Sequence, residues 1–193
     1  DTSVSSANIP AIINGTRITA IAPKAFYNRD NLTSVTIPSS VAVIGEEAFY
    51  SCENITSLRI NGNGLQMIGR NAFRYCRKIV NLTIPEGVKH IGEYAFYECN
   101  GLLNLTIPEG VEYFGNYAFN YLSGLKNLTI PGDYDTRGWL SYSNVLDTVT
   151  FTGTKIHPGI RYNYDDRGYD YESIPGRHAK KVMITDSVTE IGM

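Results

Sequence analysis

The sequence predicts a solenoid, a stack of short coils repeated along one axis, and three features carry that prediction. The dipeptide Ala-Phe recurs as Ala25-Phe26, Ala48-Phe49, Ala72-Phe73, Ala95-Phe96 and Ala118-Phe119, at steps of 23, 24, 23 and 23 residues. The string "NLTIPEGV" stands at 81–88 and again, unchanged, at 104–111, with "NLTIPGDY" following at 127–134. Between these landmarks the apolar letters hold fixed offsets. Three residues after Phe comes Cys52, Cys76, Cys99 or Leu122, six after comes Leu32, Ile55, Ile79, Leu102 or Leu125, and eleven after comes Ile37, Ile60, Ile84, Ile107 or Ile130. A fixed period of this length marks a solenoid, propeller or array.

Each part of the coil has a physical reading. In "NLTIP", Leu82 and Ile84 alternate with Asn81 and Thr83, the period of a strand buried on one face. The proline that follows (Pro38, Pro85, Pro108, Pro131) lacks an N–H and is expected to end the strand's pairing. The glycine of "IG" or "FG" suits a bend where backbones come close. The Ala-Phe-x-x-Cys piece is too short for an independent helix and is expected to form a helical or 3₁₀ turn. The single 24-residue step has a local source, since "INGNGLQMIG" (60–69) is one residue longer than "IPSSVAVIG" (37–45). "INGTRITAIA" (13–22) shares the longer form, which places the start of the array by about Ile13.

A lone coil buries too little apolar surface to offset the ordering of its backbone, so stability must come from stacking. The cysteines fit that picture. Cys52, Cys76 and Cys99 are odd in number, which forbids a closed disulfide framework within the chain, and their spacing puts one thiol at the same depth in each coil. Residues stacked in a line do not converge tetrahedrally on a metal, and Leu122 at the equivalent position shows that the site takes a small apolar side chain. They are expected to be buried and structural, and no cofactor or metal is expected.

The composite pattern, complete in "LTSVTIPSSVAVIGEEAFYSC" (32–52) and "IVNLTIPEGVKHIGEYAFYEC" (79–99), resembles the bacterial BspA-like subclass of leucine-rich repeats. The resemblance covers 13–131 well and 182–192 in part. It implies a right-handed leucine-rich-repeat solenoid with parallel strands on the concave face and short turns or 3₁₀ pieces elsewhere. It also implies a protein exported or surface-anchored on bacteria or some protists, with a role in adhesion to host proteins and other cells.

The period decays after Pro131. "VLDTVTF" (145–151) echoes "NLTSVTI" (31–37), and "VMITDSVTEIG" (182–192) resumes the repeat, but "YDTRGW" (134–139) and "YDDRGY" (164–169) replace the stretch leading to the bend. The expected organisation is one repeat domain over 1–193, of about seven to eight coils. It comprises an N-terminal segment (1–12), regular repeats (13–131), degenerate coils with a Tyr/Asp-rich insertion (132–181) and a partial repeat (182–193). The natural protein is expected to continue beyond Met193, which stands two residues short of the next Ala-Phe.

Composition excludes several functions. Lys and Arg number 17 against 19 Asp and Glu, with no basic block to neutralise phosphates, so nucleic acid is not an expected partner. No run approaches the ~20 apolar residues of a membrane helix, so the chain is not membrane-embedded by one. "DTSVSSANIP" lacks an initiator Met, a basic segment and an apolar segment, and reads as a processed N-terminus whose signal peptide has been removed. His90, His157 and His178 lie in different contexts without a nucleophile motif, so the chain is not expected to be an enzyme.

Two sets of residues remain as candidate contact surfaces. The outward strand positions form polar columns, Ser34, Ser57, Asn81, Asn104 and Asn127 beside Thr36, Arg59, Thr83, Thr106 and Thr129. Six Asn-x-Ser/Thr strings (Asn14, Asn31, Asn54, Asn81, Asn104, Asn127) follow largely from this repeat, and read as columns rather than sugar acceptors. The second set is Tyr134, Trp139, Tyr162, Tyr164, Tyr169 and Tyr171, set among aspartates in the degenerate coils, a composition suited to protein hot spots or sugar faces. The expected function is a monomeric, extracellular or cell-surface interaction module that binds a protein ligand. A glycan ligand held by Trp139 and the Tyr cluster is the second reading, and a spacer presenting another domain the third.

Overall fold

The fold was analysed in a computed structural model, which describes residues 5–131, 146–153, 155–156, 181–185 and 190–191. The alternating segments form parallel strands stacked coil on coil. Ser6–Asn8, Ser34–Ile37 and Ser57–Ile60 make one sheet, and Asn81–Thr83, Asn104–Thr106, Asn127–Pro131, Thr148–Thr152 and Lys181–Ile184 make another. Register is set by the repeat: Asn81, Asn104 and Asn127 lie side by side, as do Thr83, Thr106 and Thr129. The two sheets part between Ile60 and Asn81, where the 24-residue step places its extra residue.

Proline does not end the pairing everywhere. Pro131 stays in register with Thr152, because a proline lacks only the donor and keeps its carbonyl. The array also begins earlier than the spacing indicates. Ser6–Asn8 pairs with Ser34–Thr36, and the Ile9 N–H donates to the Thr36 carbonyl at 3.0 Å, so Ile9 occupies the place assigned from sequence to Ile13. The displaced residues form an antiparallel ribbon, Ile12–Ile13 with Thr16–Arg17. Its turn, Asn14-Gly15, takes φ of 49° and 77°, the two left-handed residues that a tight two-residue hairpin needs.

A second face of the coils carries a further parallel sheet, built from Ala20–Ile21, Val43–Ile44, Met67–Ile68, His90–Ile91 and Tyr113–Phe114. The glycines that follow do mark close backbone approach. A Cβ on Gly69 would lie 2.8 Å from the Glu46 nitrogen, and one on Gly92 would lie 2.5 Å from the Arg70 nitrogen.

The Ala-Phe-x-x-Cys piece is not a helical or 3₁₀ turn, and no helix occurs among the described residues. Alternate N–H groups point in different directions. Those of Glu47, Phe49 and Ser51 donate to the Arg70, Ala72 and Arg74 carbonyls of the next coil, at 2.9, 2.8 and 2.9 Å. Those of Ala48, Tyr50 and Cys52 donate three residues back within their own coil. Glu47 and Ser51 adopt φ of 54° and 52° to allow this, and the pair recurs at Asn71/Tyr75, Tyr94/Glu98 and Tyr117/Tyr121. A helix would spend its N–H groups inside one coil, whereas this turn uses every second one to bind the stack together.

The core lies between these three faces. Phe49, Phe73, Phe96 and Phe119 are fully buried and stack on one another and on Phe26. Successive ring centroids are 4.9–5.1 Å apart and the planes within 3–8°. Leu32, Ile55, Ile79, Leu102 and Leu125 are buried beside them, as the offsets from Phe predict.

Candidate interaction surfaces

The unburied strand face carries the polar columns. Alternation exposes Asn81 and Thr83 while Leu82 between them is buried, and Asn104 and Asn127 are exposed likewise. The asparagines form an amide ladder: Asn127 Nδ2 donates to Asn104 Oδ1 at 2.7 Å, and Asn104 Nδ2 to Asn81 Oδ1 at 2.6 Å. Each amide is thereby held in one orientation. The column begins with a hydroxyl pair, Ser34 Oγ donating to Ser6 Oγ at 2.9 Å. Beside it Thr83, Thr106, Thr129 and Thr150 stand in register, and Arg59 lies opposite Thr36 in the neighbouring sheet. Tyr134, Trp139, Tyr162, Tyr164, Tyr169 and Tyr171 lie outside the described residues.

The turn edge carries a second array that the motif analysis did not single out. Tyr27 and Tyr50 stack at 5.0 Å, and Tyr94 and Tyr117 at 5.3 Å. Arg74 occupies the position that Tyr27, Tyr50 and Tyr97 fill in other coils, immediately after the stacked Phe. Its guanidinium lies 4.8, 5.0 and 4.8 Å from the ring centres of Tyr75, Tyr94 and Tyr97. Burial raises the hydroxyl pKa of Tyr50 and Tyr97, with Arg74 pulling both the other way. The available signal was the tyrosine that follows the invariant Phe, as in "AFY" at 25–27, 48–50 and 95–97.

The cysteines are free and buried, one per coil. Each thiol donates to the Phe carbonyl of the preceding coil: Cys52 to Phe26 at 2.9 Å, Cys76 to Phe49 at 3.1 Å and Cys99 to Phe73 at 3.2 Å. Burial pushes Cys52 up to about 11 and Cys99 up to about 12, and Cys76 well above the usual thiol value. Burial thus holds the thiols protonated at neutral pH, the less reactive form. Among the described residues no group of His, Cys, Asp or Glu is arranged to hold a metal ion, and no helix is long and apolar enough to cross a membrane.

The repeat profile for the "BspA type Leucine rich repeat region" matches residues 17–152 in six copies. The chain belongs to the BspA-type leucine-rich-repeat family. Two solved structures place this BspA-type chain among bacterial relatives. It is 27% identical to the T. pallidum leucine-rich-repeat protein TpLRR, with a TM-score of 0.62 over 76% of this chain and 72% of that one. It is 26% identical to a leucine-rich cell surface protein of Faecalibacterium prausnitzii A2-165, also with a TM-score of 0.62, over 98% of this chain. The chain spans about half of that second protein, covering 47% of its length. No curated protein matches the chain. The BspA-type coil accounts for the stacked parallel strands and the buried columns.

Proposed function

We propose that this chain is a non-enzymatic interaction module displayed outside a bacterial cell, where its exposed strand face binds a protein ligand. The observation that supports this most is the pre-organised polar face. Asn81, Asn104 and Asn127 are locked by amide hydrogen bonds, and Thr83, Thr106 and Thr129 stand in register beside them. A surface already held in one conformation loses little entropy on binding, so its contacts contribute more fully to affinity. Its near lack of charge, with Arg59 at one end, favours a ligand recognised by hydrogen bonds and shape. The cell-surface description of the F. prausnitzii relative supports the location.

The test is a binding screen of the chain against immobilised extracellular-matrix and cell-surface proteins, repeated with Thr83→Glu, Thr106→Glu and Thr129→Glu combined. Binding by the native chain that falls at least tenfold in the triple variant is the expected result. A ligand held equally by both chains places the site elsewhere, and a screen without any ligand removes the module reading itself.

A further inference from the structure

We infer that the turn edge centred on Arg74 is a second docking surface, for an acidic segment of a partner protein that brings a carboxylate to the Arg74 guanidinium. This goes beyond the strand-face reading and stands or falls separately from it.

The first observation is charge. Lys24 pairs with Glu47 at 3.3 Å and Arg70 with Glu93 at 3.3 Å. Arg77 holds both Glu53, at 3.5 Å, and Glu98, at 3.1 Å. Arg74 sits among these pairs, yet no carboxylate lies within ion-pair distance of it among the described residues. Its Nη1 donates to Asn71 Oδ1 at 3.3 Å and its Nη2 to Tyr75 Oη at 2.9 Å, while Nε has no partner. A guanidinium has five N–H donors: two are spent here, Nε is buried out of a partner's reach, and the second hydrogen on each Nη is left for a carboxylate.

The second observation is the state of the rings. Tyr27 and Tyr50 cover one another, as do Tyr94 and Tyr117, and Arg74 covers faces of Tyr75, Tyr94 and Tyr97. Around Arg74 the edge therefore presents ring rims, hydroxyls and a guanidinium rather than open aromatic faces. Sugars stack on open faces, whereas a carboxylate flanked by peptide carbonyls matches a donor-rich edge. Tyr and Arg held rigidly at a half-exposed surface are also the residues that dominate protein interfaces. Tyr27, Tyr117 and Tyr121 remain 42%, 39% and 40% exposed, which leaves room for the segment along several coils.

The experiment titrates a synthetic (Asp-Gly)₄ peptide into the isotope-labelled full chain at low salt and follows backbone amide shifts, with (Asn-Gly)₄ as the neutral control. The expected result is shifts concentrated at Asn71–Glu98 for the acidic peptide alone, weakened at least tenfold by Arg74→Gln and only in part by Arg74→Lys. The shift map of the native chain is informative whether or not the variants keep full stability. Shifts that are absent, equal for both peptides, centred elsewhere or unchanged in a folded Arg74→Gln chain overturn the inference.

Discussion

The thiol of Cys76 donates to the carbonyl of Phe49, one coil earlier, at 3.1 Å. That oxygen also accepts the Cys52 N–H at 3.2 Å, so it ties two coils together at one point. The same relationship links Cys52 with Phe26 and Cys99 with Phe73. It explains why the position takes cysteine: the side chain must be small and apolar, and its weak donor completes a buried carbonyl. Cys76→Ala removes the donor and leaves a small void, and is expected to cost about 1–2 kcal/mol in denaturant unfolding.

Thiol chemistry gives a pH prediction. The folded values of about 11 for Cys52 and about 12 for Cys99 lie above the ordinary value of 9.0. Above that value the unfolded chain has released protons that the folded chain still holds. Stability is therefore unaffected by these groups below about pH 9 and falls as the pH rises toward 11–12. At pH 8 a thiol reagent such as Ellman's is expected to label none of the three cysteines in the native chain and all three in denaturant. Rapid labelling of the native chain contradicts their buried placement.

Two glycines separate crowding from backbone strain. Gly92→Ala sets a Cβ 2.5 Å from the Arg70 nitrogen, against backbone that cannot yield, and is expected to cost about 2–3 kcal/mol. Gly15→Ala meets nothing within 4 Å but must hold φ of +77°, and is expected to cost about 1 kcal/mol. Equal costs in chemical denaturation would remove the distinction.

The Phe stack is the mechanical spine of the repeat. Phe73→Ala empties a fully buried site between two stacked rings and is expected to cost about 3–5 kcal/mol. Phe26→Ala, at the half-buried end of the stack, is expected to cost less than half of that. Thermal melts of the two variants compare them directly.

Asn104→Asp tests the amide ladder. A carboxylate cannot donate to Asn81 Oδ1, and it opposes oxygen to oxygen where a 2.6 Å hydrogen bond stood. The variant is expected to lose about 1 kcal/mol at neutral pH. The deficit should narrow below about pH 4, where the protonated acid regains a donor. A pH-independent deficit would mean that the ladder bond is not what was lost.

How much of this was legible depended on whether a feature repeats in residue type. The buried columns do: Phe49, Phe73 and Phe96, or Leu82 and Leu105, repeat because one core shape recurs, so the period and the strand register could be read off. The second sheet could not, since its strands are two residues long and their outward members (Ala20, Val43, Met67, His90, Tyr113) share no chemistry. The left-handed turn positions were hidden for a related reason. Lys24, Glu47, Asn71 and Tyr94 adopt positive φ without the glycine that normally signals it, because inter-coil hydrogen bonds hold them there. Ser6–Asn8 was masked by the ribbon that follows it, which shifted the apparent start of the array. The side-by-side placement of Asn81, Asn104 and Asn127 follows from the period, but their locking by amide hydrogen bonds is a matter of side-chain geometry that spacing does not carry.

The central claim is that the exposed strand columns are a protein-binding face, and hydrogen–deuterium exchange on a complex tests it most directly. The complex is the one formed with a protein retained in the binding screen. The account predicts slowed exchange across 81–83, 104–106 and 127–129 on complex formation, with 43–44, 67–68 and 90–91 on the second sheet unchanged. Slowing confined to the second sheet, or the same in the Thr83→Glu, Thr106→Glu, Thr129→Glu chain, would contradict it.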